Sequence, residues 1–106
     1  MDIFKINDMV AGWFIGDFAP SVMRTKDFEV GIKIHNAGEK WPSHFHRLAL
    51  EINYLVDGKI QFGDKIIEKG DIFVFKPLEV STPIFLETCT VVCVKVPSLP
   101  KDKVLV

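Results

Sequence analysis

The chain has 106 residues, with 13 Lys and Arg against 14 Asp and Glu, a net charge of −1 and 48% hydrophobic residues that include nine Phe. That length implies one domain; the scattered lysines and arginines form no basic stripe of the kind that meets nucleic acid, and no apolar run reaches the ~18–20 residues of a membrane span. Nine Phe exceed what a small core comfortably hides, which predicts either a barrel packed with aromatics or a buried contact between two copies of the chain, a homodimer.

Residues 1–25 read as an N-terminal extension and hold the only short helix candidates. MDIFKINDMVAGWFIGDF carries acids throughout and lacks a basic stretch followed by an apolar one, so it is not a secretory signal, and a cytoplasmic protein is expected. From Phe28 to Ile34, apolar and other residues alternate with period two, the mark of a half-buried strand. EINYLV (51–56) and KIQF (59–62) flank Asp57-Gly58, which predicts a two-residue hairpin between them. Gly63-Asp64 then separates KIQF from KIIE, and Lys69-Gly70-Asp71 separates KIIE from IFVF (72–75). PIFLE (83–87) and TVVCVKV (90–96) follow, and Pro97 and Pro100 close the last predicted strand. IFVF and TVVCV are apolar on successive residues, which predicts burial of both faces, the second under another sheet or another subunit. Many short strands at regular spacing give an all-β sandwich or barrel with its core in 28–96. Cys89 and Cys93 lie four apart in one strand, roughly 13 Å. A disulfide needs about 7 Å or less, so they read as small core residues.

Residues 44–51, HFHRLALE, hold two of the three histidines in the chain. On a strand, positions i and i+2 face the same side, so His44 and His46 project together with Cα atoms ~6.6 Å apart. Two imidazoles at that separation converge on one cation at bonds of about 2.0–2.1 Å. Glu51 is placed to supply a third ligand once Arg47 to Leu50 turn the chain back into the sheet. Two His and one carboxylate leave positions open for water or substrate, which suits chemistry better than a closed structural site.

The surrounding segment, GEKWPSHFHRLALEINYLVDG (38–58), matches G-x5-H-x-H-x4-E-x6-G at Gly38, His44, His46, Glu51 and Gly58. This is the first motif of the cupin superfamily, which the chain resembles. The resemblance implies a double-sheet jelly-roll β-barrel over the single domain 1–106. It also implies one divalent metal ion, iron, manganese, nickel or zinc, on His44, His46 and Glu51. The second cupin motif, G-x5-P-x-G-x2-H-x3-N, is half present. Gly70-Asp71 and the following strand fit. Strict spacing then puts Lys76 at the proline, Leu78 at the glycine and Ser81 at the fourth-ligand histidine; anchoring on Pro77 instead puts Glu79 at the glycine and Thr82 at the histidine. Either way that histidine is absent.

Asn53 shares Glu51's face and serves either a ligand or Glu51, or else a backbone group; Gln61 stands across the predicted hairpin with the same two roles. His35 lies on the polar face of its strand, at the barrel mouth or in solvent. Trp41 is a candidate pocket wall, while Phe45 and Tyr54 point away from the ligands and read as core and packing residues. No Ser-His-Asp set, phosphate loop or H-E-x-x-H appears. The expected partner is a small polar metabolite, such as a sugar or sugar derivative, met by isomerase, epimerase or oxygenase chemistry. The alternative is a non-catalytic small-molecule binding or sensor protein with weak metal binding or none.

Overall fold

The structure, a computed structural model, describes all residues 1–106. Eleven strands follow one short 3-10 turn at Ile6–Asp8: β1 Trp13–Gly16, β2 Met23–Arg24, β3 Glu29–His35, β4 His44–His46, β5 Leu50–Asp57, β6 Lys59–Phe62, β7 Lys65–Glu68, β8 Ile72–Phe75, β9 Pro83–Phe85, β10 Cys89–Val96 and β11 Lys103–Leu105. No helix is long and apolar enough to cross a membrane.

Six strands form one layer in the order β2-β1-β3-β10-β5-β8. β3, β10, β5 and β8 are antiparallel neighbours, and only the short β1–β2 pair is parallel. The other layer contains β7-β6-β9 and β11-β4. Bridges Lys40↔Ile84 and His44↔Ser81 lay residues 40–46 beside 81–84 and tie these two small sheets together. This is the all-β, double-sheet arrangement expected. β1, β2 and β11 lie outside 28–96 yet join the sheets. Pro97 and Pro100 do end β10, but the chain returns as β11 to pair with β4.

The predicted Asp57-Gly58 hairpin does not form. β5 pairs with β10 and β8, whereas β6 pairs with β7 and β9, so the chain changes layers at Gly58. A Cβ on Gly58 would stand 2.6 Å from both Cys89 Sγ and Thr88 O, and its φ is +101°. Glycine is needed here for a close backbone approach in a left-handed conformation. The two-residue hairpin sits instead at Gly63-Asp64, where Phe62 pairs with Lys65.

The alternation in β3 is real but inverted. Its polar positions Glu29, Lys33 and His35 face inward, and Ile32 and Ile34 face out. Asn53 and Leu55 of β5 and Phe73 and Phe75 of β8 also turn in, while Tyr54, Ile72 and Val74 are exposed. IFVF is therefore not covered on both faces within one chain. Leu55, Ile60, Phe85, Cys89 and Val91 form a small closed core between the layers. Both cysteines are free and buried, as small core residues. Beyond this core the layers part around a cavity, and that cavity is why polar residues occupy inner positions.

Candidate metal centre

β4 carries His44 and His46 on one face, with ring centroids 5.4 Å apart. Three residues make a poor strand alone, so its neighbours fix it. The His44 amide donates to Ser81 O (3.1 Å), the Ser81 amide to His44 O (2.8 Å) and the Leu78 amide to His46 O (2.7 Å). β11 covers the opposite edge, with Lys103 opposite His46 and Leu105 opposite His44. The turn from β4 into β5 is held by buried Asp102. Its carboxylate accepts the amides of Leu48 and Ala49 at 2.9–3.1 Å, and its carbonyl accepts the Arg47 amide at 3.1 Å. Such paired N–H groups need no water and define the turn. Glu51 then enters β5 facing the histidines, and one donor atom from each of His44, His46 and Glu51 falls within 4.8 Å of the others.

The electrostatics follow from this packing. Burial works against a charge on Glu51, but hydrogen bonds from His46 and Asn53, together with the nearby Lys95 ammonium, hold its pKa at about 2. Oε1 meets His46 Nε2 at 3.2 Å, and Asn53 Nδ2 donates to Oε2 at 3.0 Å. Asn53 therefore orients Glu51. Burial lowers the pKa of His44 against the effect of its Pro42 hydrogen bond, favouring the neutral imidazole that ligates metals. With Nδ1 directed at Pro42 O (3.3 Å), its Nε2 is left for a cation.

One pair of the donor set has the spacing that a shared divalent ion requires. Two ligand atoms each about 2.1 Å from one ion stand roughly 3.0 Å apart at a right angle and roughly 3.4 Å at a tetrahedral angle. The 3.2 Å between His46 Nε2 and Glu51 Oε1 lies inside that interval. Imidazole, imidazole and carboxylate suit iron, manganese, nickel or zinc.

Ser81 and Thr82 separate clearly. Ser81 is buried, pairs with His44 and lines the cavity. Thr82 is exposed, and its hydroxyl meets Ser43 Oγ at 2.7 Å. Leu78 adopts φ +72°, a left-handed value rare for leucine. It occupies the position that strict spacing assigns to glycine, so backbone geometry and side-chain placement agree on the strict register. Gln61 points away from the cavity, because Ile60 and Phe62 take the inward positions of β6 and its amide donates to Gly63 O. His35 and Trp41 both line the cavity. His35 stacks on Phe85 (centroids 4.1 Å apart), and Nδ1 of His35 and Nε1 of Trp41 share Glu39 Oε2. Phe45 is only half-buried and Tyr54 is exposed on the outer sheet face, so neither is a core residue of the single chain.

The cavity, about 270 Å³, also contains residues that the sequence reading passed over: Trp13, Lys33, Lys95, Lys103 and an aromatic wall of Phe62, Phe73 and Phe75. The three phenylalanine rings pack at centroid distances of 5.3–6.2 Å. Lys33 was within reach, since it lies two before His35 on one strand face. Lys103 lies beyond the prolines and gave no signal. Cys93 lines the cavity too, and burial, reinforced by Glu51's charge, pushes its thiol pKa up and keeps it protonated.

No protein-family model matches the sequence, and no curated protein does. Solved structures do match. A Klebsiella pneumoniae uncharacterized conserved protein with a double-stranded β-helix domain is 22% identical, with a TM-score of 0.71 over 97% of this chain and 89% of that one. KdgF from a Halomonas species is 22% identical, with a TM-score of 0.66 over 72% and 74%. The DMSP lyase DddQ of Ruegeria pomeroyi is 15% identical, with a TM-score of 0.65 over 77% of this chain and 44% of that one. Further matches are RmlC-like cupins and a cupin-2 domain protein. At these identities the likeness fixes architecture: the chain has the double-stranded β-helix fold of the cupins.

Proposed function

We propose that this chain is a metal-binding cupin that holds one divalent ion on His44, His46 and Glu51 and binds or transforms a small polar metabolite in the adjoining cavity. One observation carries the reading: three ligand-type atoms from two strands lie within 4.8 Å at the wall of a cavity. A bound ion supplies Lewis-acid polarisation of a carbonyl or hydroxyl oxygen. The chain supplies the rest. The Pro42 carbonyl and Asn53 aim His44 and Glu51, Glu51 acts as a ligand and not as a free base, and the Phe62–Phe73–Phe75 wall keeps water from one side. Isomerase, epimerase and oxygenase chemistry on a sugar or related metabolite all suit an open metal position; fold does not choose among them. A non-catalytic binding or sensor role is favoured by one fact: His35, the remaining cavity histidine, is committed to Glu39 and Phe85. Metal content separates the two. Stoichiometric iron or manganese in freshly purified protein points to oxygen chemistry, while zinc or nickel leaves isomerase and binding roles. A second copy of the chain is proposed to cover the outer sheet face at Ile32, Ile34, Tyr54, Ile72 and Val74.

The test is a thermal melt of metal-stripped protein with manganese, iron, nickel or zinc. A ligand at a hundredfold excess over Kd adds about 2.7 kcal/mol, and each kcal/mol moves Tm by roughly 4–8 °C in a domain this size. Tm should rise by about 10 °C or more, a chelator should reverse the gain, and His44→Ala, His46→Ala and Glu51→Ala should each remove the response. No movement of wild type with any of the four metals overturns the reading.

A further inference from the structure

The lysines around the cavity arrive from three strands in both layers. Lys33 is on β3, Lys95 on β10 directly opposite Glu51, and Lys103 on β11 directly opposite His46. Each ammonium lies over an indole: Lys33 and Lys95 Nζ are each 4.8 Å from the Trp13 ring, and Lys103 Nζ is 4.9 Å from Trp41. Trp13 reaches its place because Gly31 leaves room, since a Cβ there would stand 2.7 Å from Trp13 Cε3.

Their charges are unequally compensated. Lys95 faces Glu29 at 3.7 Å, and Glu29 also accepts Ser98 Oγ at 2.8 Å. Lys33 donates to Ala11 O at 2.6 Å, a neutral partner. The Lys103 ammonium has neither a hydrogen bond nor an ion pair within the chain, only its contact with the Trp41 ring. Among the cavity-lining side chains, three ammonium groups stand against one carboxylate, Glu51. Burial lowers the pKa of Lys33 and Lys103, with Lys95's charge adding to the effect on both. Like charges gathered around one cavity repel one another, and an incoming anion relieves that repulsion. The cavity volume of about 270 Å³ falls just below the ~300–1,000 Å³ typical of ligand sites, so the guest is small.

We propose that the cavity takes a small organic acid, its carboxylate held by Lys33, Lys95 and Lys103 and a second oxygen turned toward His44, His46 and Glu51. The second half of this assignment rests on the metal reading above; the first half does not. A carboxylate is favoured over a phosphate because the chain has neither a glycine-rich phosphate loop nor a helix N-terminus to offer converging backbone N–H groups.

Matched probes test it by calorimetric titration into metal-loaded full-length protein: glucuronate against glucose, lactate against propane-1,2-diol, and glucose 6-phosphate. At least one carboxylate should bind tenfold or more tightly than its neutral partner, and added sodium chloride should weaken only the acid. Lys33→Met and Lys103→Met should each weaken that acid tenfold or more, with Lys103→Arg retaining binding. Both Met variants should hold metal as tightly as wild type or more so, because each removes a positive charge near the site. Equal binding of acids and neutral partners, or Met variants that bind the acid unchanged, overturns the proposal; tighter binding of glucose 6-phosphate than of glucuronate overturns the carboxylate assignment. Metal-stripped wild type is the control that separates the two readings. There the lysine-dependent preference for acids should persist, so failure of the metal site alone leaves that preference intact, and failure of the lysines leaves the metal response intact.

Discussion

Glu51→Gln in metal-free protein isolates the electrostatic core of the site. The folded pKa of Glu51 is about 2, against an ordinary 4.5. A difference of about 2.5 units at 1.36 kcal/mol each gives roughly 3 kcal/mol of stability from ionised Glu51. Its side chain is only 13% exposed, so solvent screening removes little of this. Because folding depresses the pKa, the contribution is fully present above pH 4.5 and disappears as pH falls through about 2. Urea unfolding of wild type and Glu51→Gln, both stripped of metal, should therefore show wild type ahead by roughly 3 kcal/mol at pH 7. That gap should shrink steadily between pH 5 and pH 2. Titrations shared by both proteins, such as other carboxylates, cancel in the difference. A gap that stays constant from pH 7 to pH 2 refutes the claim that His46, Asn53 and Lys95 stabilise the ionised carboxylate.

Two more outcomes are expected. Ser81→His should tighten divalent-metal binding and Thr82→His should leave it unchanged in calorimetric titration, since Ser81 alone of the pair lines the cavity; equal effects from both would remove the strict register. Light scattering at micromolar concentration should give about twice the 12.0 kDa chain mass, and Tyr54→Lys with Ile72→Lys should return the monomer value; a wild-type monomer across that range defeats the proposed dimer face.

The His44, His46 and Glu51 cluster was legible because its geometry is encoded locally. Strand alternation sets the histidine pair, and a four-residue turn delivers the carboxylate. Asn53 was legible for the same reason, although only the structure chose its partner. The Asp57-Gly58 hairpin was misread because the same dipeptide serves a tight turn or a close backbone approach, and the Cys89 and Thr88 atoms that decide between them lie about thirty residues away. The inverted faces of β3 misled for a different reason. Alternation reports that two faces differ but not which one is inside, and a cavity reverses the usual assignment. Lys103 and Asp102 were invisible because their partners are set by the pairing of β11 with β4, a contact between distant parts of the chain.

Asp102 gives the site an order of assembly. The cluster spans eight consecutive residues, yet the turn inside it is clasped by a carboxylate 53 and 54 positions downstream. Contacts at such separations require closure of a long loop, and topologies dominated by them fold slowly. A nascent chain that has just produced residue 100 already contains all three ligand residues and the partner strands of β5. It lacks the clasp on Leu48 and Ala49, the strand at β4's outer edge and the Lys103 ammonium. All three are supplied by residues 102–105, so the turn, the edge of the histidine strand and one wall of the cavity depend on the same short segment.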